Sequence, residues 1–226
     1  MGLPTTIAID GPASSGKSTL GALLAKALGY LYFDTGVMYR AVTLAMLQAG
    51  LHIDDEEGIG ALAEKVHIDI RPPSIDDGRD VDVLLDGQDV TWEIRSDAVN
   101  NDVSPVSVYA AVRKAMTEQQ RRIAKDNKVV MVGRDIGTVV IPDAELKIYL
   151  DASVEVRAER RFKEMLERGE DADYDAVLRS LKNRDQIDSS REIAPLRAAE
   201  DAVVIHADDL GIQDVLEKAK ELVYRV

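Results

Sequence analysis

A chain of 226 residues can bury a full hydrophobic core and is most economically one domain with insertions. Its formal charge of −13 argues against non-specific binding to a nucleic-acid polymer, and zero cysteines exclude a disulfide scaffold, a thiolate metal site and a cysteine nucleophile. No apolar run approaches bilayer length and the N-terminus lacks a basic region followed by an apolar core, so a soluble cytoplasmic protein without membrane association is expected.

The first predicted element is a buried strand, the β-branched run Thr5-Thr6-Ile7-Ala8-Ile9-Asp10. Gly11-Pro12-Ala13-Ser14-Ser15-Gly16-Lys17-Ser18 follows, matching the spacing of a phosphate-binding loop, with Thr19 next. Leu20, Leu23, Leu24 and Leu28 then recur at helical spacing, and Gly29 ends the helix. Strand, glycine-rich turn and helix together give the motif its mechanism. Gly11 and Gly16 let the backbone approach a phosphate, and the N–H groups and positive helix end point at its oxygens. Lys17 is the point charge for the β- and γ-phosphates, and Ser18 is within reach of a Mg²⁺.

Leu31-Tyr32-Phe33 is a short strand ending at Asp34-Thr35-Gly36, and Val37 to Leu47 has helical periodicity. Thr35 is a candidate phosphate or ribose donor, while Tyr39 and Arg40 sit on the first turns of that helix as candidate substrate-binding residues facing the cleft, with a packed ring as the other reading of Tyr39. A helix is predicted from Asp54 to Lys65, then short strands over Val66–Asp69, Val81–Leu85 and Gln88–Val90. This β-rich piece interrupts an αβ rhythm and reads as an insertion whose carboxylates mostly form a solvated face; Asp76, Asp77, Asp80 and Asp82 lack calcium-loop spacing. Trp92 to Ala124 is predicted mostly helical, broken at Ser104-Pro105, with Trp92 as a packing residue. Arg113 in its second half is, by itself, only a solubilising charge.

The chain returns to a buried strand at Asn127–Met131, ending in Gly133-Arg134-Asp135-Ile136-Gly137-Thr138, at the rim where open α/β sheets bind ligands. Leu146 to Asp151 is another strand. Ser153 then caps a helix through Met165 that carries Arg157, Arg160 and Arg161, with glutamates that could pair with them. In the helix Tyr174–Ser190, followed by Arg191, the positions Arg184, Asp188 and Arg191 fall on one face. Ala202–His206 and Ile212–Tyr224 are the last strand and helix. Five apolar strands alternating with helices predict a central parallel sheet covered on both faces. The motifs of a GTPase are incomplete: Asp135-Ile136-Gly137 is one residue short, and no base-reading Asn-Lys-x-Asp is present. Separated arginines with few bases suit phosphoryl transfer between two phosphate-bearing substrates.

Five stretches together resemble the bacterial cytidylate kinase family, the CMP/dCMP branch of the nucleoside monophosphate kinases. They are Ile9-Asp10-Gly11-Pro12 with Gly16-Lys17-Ser18, Asp34 to Arg40, Gly133 to Val140, Asp151-Ala152-Ser153, and Arg184-Asp185 with Arg191. The resemblance covers essentially the whole chain. It implies an α/β P-loop kinase of three layers with a five-stranded parallel sheet, an acceptor-binding insertion containing a small antiparallel sheet, and a helical lid. The implied regions are a core of 1–35 and 105–226, an acceptor region of 36–104 including the β insertion 66–91, and a lid over 154–173. ATP with Mg²⁺ is the implied donor, CMP and dCMP the acceptors, and a monomer the implied state.

The resemblance also distributes roles. Thr35 and Asp135 match residues at the cytidylate sugar and its surroundings, Arg134 an arginine at its phosphate, and Ser104 a serine at the cytosine ring. Arg113, Arg184, Asp188 and Arg191 match the remaining acceptor residues. Lys17, Arg134, Arg160, Arg161 and Arg184 are the candidates for stabilising transfer. Val132 departs from the pattern, standing where family members carry an acidic residue; that carboxylate's role is either filled by Asp10, Asp34 or Asp135 or is weaker in this chain. A kinase acting on UMP or AMP, and a P-loop ATPase or nucleotide switch, stay open as alternatives.

Overall fold

The computed structural model describes residues 2–225. In chain order they form β1 (Thr6–Asp10), α1 (Lys17–Leu28), β2 (Leu31–Asp34), α2 (Gly36–Gln48), α3 (Glu56–Lys65), β3 (Ile68–Arg71), β4 (Asp82–Leu85) and β5 (Gln88–Asp89). A single 3-10 turn (Glu93–Arg95) leads to α4 (Asp97–Val106) and α5 (Ala110–Lys125), then β6 (Val129–Gly133), a wide π-type turn (Ile136–Val140) and β7 (Leu146–Asp151). The chain closes with α6 (Val154–Glu167), α7 (Tyr174–Ser190), β8 (Val203–His206) and α8 (Ile212–Val223). No described helix is long and apolar enough to cross a membrane.

The larger sheet is parallel and five-stranded, in the order β2-β6-β1-β7-β8. Ile7 pairs with Leu146 and Asp10 with Tyr149, while Ile148 pairs with Val203 and Asp151 with His206. β6 is buried at every position, as a central strand covered on both faces must be, and its Val-Val-Met-Val run supplies the side chains for that. β8 lies at the edge and exposes Val203, Val204 and His206. β3, β4 and β5 form a separate antiparallel sheet, with Ile68 opposite Leu85 and Leu85 opposite Gln88.

The chain folds as two compact units, residues 29–129 and the remainder. In the remainder, Ile7, Ile9, Leu20, Leu24, Ile148 and Leu150 are buried, and α1 packs with α8. In 29–129, α2 packs with α4 and α3 with α5. The helical break there falls at Ser107–Tyr109, not at Ser104-Pro105. Pro105 sits in the last turn of α4, where the helix ends one residue later and little interior ladder remains to be broken.

The small sheet also departs from the expected solvated face. Arg79, with a side chain 5% exposed, pairs with Asp77 at 2.8 Å, Asp82 at 2.9 Å and Asp89 at 2.6 Å. These carboxylates therefore hold an arginine. Arg79's hydrogen bonds keep Asp77 far below the usual carboxylate range and lower Asp89 to about 2. Trp92 is half exposed and donates its indole N–H to Asp77, so it is a tether and not a packed core ring.

Candidate active site

The loop between β1 and α1 is shaped by positions that only certain residues accept. A Cβ on Gly11 would lie 2.2 Å from the Leu150 carbonyl oxygen in β7, and Gly16 has φ +96°. Ser14 adopts φ +60°, left-handed backbone that a non-glycine residue occupies at a cost. Pro12, Ala13, Ser15 and Lys17 are buried, whereas Ser18 and Thr19 are exposed at the start of α1.

The loop's carbonyls are held by cations. Lys17 Nζ donates to Pro12 O at 2.8 Å, Arg157 Nη1 to Ala13 O at 3.1 Å, and Arg160 Nη1 to Ser15 O at 3.3 Å. Carbonyl oxygens satisfied in this way do not oppose an anion on the N–H side of the loop. The Ser15 hydroxyl is 1% exposed as part of its residue and has no hydrogen-bond partner among the described residues. A buried hydroxyl beside a glycine cradle and a helix N-terminus fits a polyphosphate that would complete it. The loop opens on a cavity of about 600 Å³, lined also by Arg160, Arg161, Leu210, Ile212 and Val215.

The three arginines of α6 have three different environments, which their glutamate-rich sequence did not indicate. Arg157 is buried and pairs with Asp185 of α7. Arg160 gives its other terminal nitrogen to Ala207 O at 2.5 Å and Leu210 O at 3.5 Å. Arg161 has a side chain 39% exposed and a single-turn pair with the exposed Glu164 at 3.0 Å. Ser153 takes the N-cap position, but its hydroxyl and N–H both donate to Asp208 Oδ1, at 2.9 and 2.7 Å, so the expected side-chain cap is absent.

At the end of β6, Arg134 donates through Nε to Asp188, which also faces Arg191 Nη2 at 3.4 Å. Arg134, Asp188 and Arg191 thus form one cluster. Arg184 lies exposed on α7, and Asp135 is buried beside the π-type turn. Behind that turn, the buried Asp10 carboxylate accepts the N–H groups of Ile136 and Gly137, each at 2.8 Å. Val132 is fully buried among core side chains, so position 132 contributes no carboxylate.

Burial raises Asp10 to about 6, outweighing the two N–H donors; Asp135 adds to the rise and Lys17 opposes it. The sign follows from linkage. A folded pKa above the unfolded 3.8 favours the folded state below about pH 4, and that contribution is lost as pH rises through about 6. The difference corresponds to roughly 3 kcal/mol at 1.36 kcal/mol per unit. Urea unfolding of wild type and Asp10→Asn at pH 4, 5, 6 and 7 should show their stability difference changing by that order across the window. A difference that stays flat with pH would remove ionised Asp10 from the account.

In residues 29–129, Thr35 is buried at the N-cap of α2 and Asp34 Oδ1 accepts from Gly36 N at 2.9 Å. Arg113 is buried, a reversal of its reading as a solvated charge. Its guanidinium lies 5.6 Å from the centroid of the Tyr39 ring and donates to Ser107 O at 3.2 Å. Arg40 donates to Asn100 Oδ1 at 2.6 Å and Ile94 O at 3.2 Å, tying α2 to α4. Burial, followed by the charge of Arg95, lowers its pKa from the ordinary arginine value. Ser104 is exposed on α4.

Sequence reasoning missed the Arg157–Asp185 pair and the tethers through Asp10 and Asp208. Their spacings of 28, 126 and 55 residues leave no local periodicity to read.

A family model described as Cytidylate kinase matches residues 7–225. A cytidylate kinase from Bacillus pumilus (strain SAFR-032) is 48% identical over 221 residues, covering 98% of this chain and 96% of that protein. One from Chloroflexus aggregans is 50% identical over 210 residues, covering 93% and 90%. Among solved structures, an uncharacterized protein from Eubacterium ventriosum aligns with a TM-score of 0.54 at 10% identity, over 97% of this chain and 98% of that one, which is a likeness of fold.

Proposed function

The chain belongs to the cytidylate kinase family, and from that premise we propose that it transfers the γ-phosphoryl group of ATP to CMP or dCMP, giving ADP and CDP or dCDP. The observation that carries this is identity of about half the residues with cytidylate kinases over nearly the full length of both chains. The phosphate loop, with its buried Ser15 hydroxyl, supports ATP as the donor.

The acceptor oxygen of a nucleoside monophosphate is ionised near neutral pH, so the reaction needs position and charge more than a general base. The bond from the donor's bridging oxygen to the γ-phosphorus breaks as the acceptor oxygen bonds to that phosphorus, and the electron pair leaves with ADP. Lys17, the loop N–H groups and Arg161 would stabilise charge on the transferring group. Ser18 would hold Mg²⁺ with the phosphate oxygens, and the bound cation would offset their charge. Arg134, Arg184 and Arg191 would orient the acceptor phosphate with their planar donor forks. Thr35 and Asp135 are assigned to the sugar and its surroundings, and Ser104, Arg113 and Asp188 to the base and nearby groups. For Tyr39 and Arg40 the observed contacts support holding Arg113 and α4 in place.

A coupled assay of ADP release with CMP, dCMP, UMP, AMP and no acceptor tests the proposal. The cytidine nucleotides should give the highest kcat/KM and the reaction without acceptor the lowest rate. A higher value with UMP or AMP, or acceptor-independent hydrolysis at the same rate, would overturn it. Within the same assay, Ser104→Ala should narrow the preference for CMP over UMP by about 1–3 kcal/mol, the usual cost of an unpaired polar group. Equal loss with both acceptors would assign Ser104 to positioning.

A further inference from the structure

We propose that the ion pair between Arg157 and Asp185 is a positioning device that couples the phosphate loop to the acceptor-side residues of α7. The inference rests on the kinase reading above and adds two residues to which that reading assigns no role.

Arg157 is 4% exposed, and its donors reach three separate pieces of chain. Nε donates to Ala152 O at 2.9 Å just after β7, and Nη1 to Ala13 O at 3.1 Å in the phosphate loop. Asp185 accepts from Nη1 at 3.1 Å and from Nη2 at 2.5 Å. A rigid planar fork fixes all these distances together, which a lysine cannot do. The same junction has an apolar component, with Ala13, Ala158, Val177 and Leu181 buried and Val154, Met165, Tyr174 and Leu178 packed against them. Apolar packing is non-directional, and the polar fork adds direction to it by tying α7 to the Ala13 carbonyl of the loop.

Asp185 lies three residues before Asp188, about 4.5 Å along the helix axis at the usual rise. Asp188 holds Arg134 and Arg191. A continuous set of contacts thus runs from Ala13 O through Arg157, Asp185 and one turn of α7 to Asp188 and to Arg134 and Arg191, two of the three arginines assigned to the acceptor phosphate. A donor that fixes the loop also fixes the Ala13 carbonyl, and this favours one placement of α7. Coupling of that kind is reciprocal: the donor tightens acceptor binding by the factor with which the acceptor tightens donor binding.

The test uses the full-length protein. CMP affinity is measured by calorimetry with and without the β,γ-methylene analogue of ATP, and analogue affinity with and without CMP, beside kcat, KM and Tm. Wild-type turnover with CMP is the premise, and its absence would withdraw the kinase reading whatever the variants do. Given turnover, Asp185→Asn should lower kcat/KM for CMP by about 10–100-fold, the scale of a small misplacement. It should also reduce the mutual enhancement by about fivefold or more. Asp185→Glu, which keeps the charge, should recover part of both. Val177→Ala, at the same α6–α7 contact, should lower Tm while keeping the enhancement and KM. The inference is overturned if turning-over wild type shows no mutual enhancement, if folded Asp185→Asn retains it, or if Val177→Ala loses it equally at equal Tm. Should Asp185→Asn not fold, Arg157→Lys decides by the same readouts.

Discussion

Lys17→Met should reduce kcat with ATP and CMP by about 10²–10³-fold while leaving the fold intact. The size is that of removing one donor aimed at charge developing in a transition state. The lysine is buried within the loop and its ammonium donates to Pro12 O at 2.8 Å, a contact that also places the charge beside the phosphate cradle. A methionine of similar length fills the same volume, so stability should change by only about 1 kcal/mol. Circular dichroism, thermal unfolding and steady-state kinetics decide it together. A folded variant with near wild-type kcat would remove this loop as the donor site.

Arg161→Ala should lower kcat by about 10²-fold with smaller changes in KM for either nucleotide, while Arg160→Ala should act mainly through KM for ATP. Their sequence positions, side by side on α6, suggested a shared role. Their contacts separate them. Arg160 donates to backbone carbonyls of Ser15, Ala207 and Leu210, so it shapes the walls of the cavity on which the loop opens. Arg161 lines the same cavity and pairs with the exposed Glu164, a pair worth about 0–1 kcal/mol. Exchanging that partner for a phosphoryl group in the transition state therefore costs little, and the benefit appears in kcat. Steady-state kinetics of both variants with melting temperatures alongside makes the comparison. Wild-type kcat in Arg161→Ala, with only a small loss of stability, would return Arg161 to surface pairing.

Much of this was legible from local pattern. The strand–loop–helix around Gly11 to Lys17 identified itself because each requirement is local: β-branched residues before, glycines at positive φ within, leucines at helical spacing after. The buried strand β6 and the amphipathic α8 were equally plain, since a continuous apolar run and a period of 3.6 are written residue by residue. Family membership was legible too, because several short motifs in fixed order are jointly specific even where each is weak.

What only the tertiary structure decided is the partner of each charge. Arg113 looked like a solubilising charge, yet it is buried against the face of Tyr39, 74 residues earlier in the chain. Arg79 sits among carboxylates that read as a solvated face, and Arg157, Arg160 and Arg161 divide among an aspartate, three carbonyls and an exposed glutamate. Periodicity tells which side of a helix a charge lies on. It does not tell what packs there, because an ion pair is fixed by the approach of distant elements and by the desolvation that approach imposes. The sequence alone marked the loop to which phosphate chemistry is assigned by proposal; the packing of α6, α7 and the 207–211 loop decided which cations hold that loop's carbonyls.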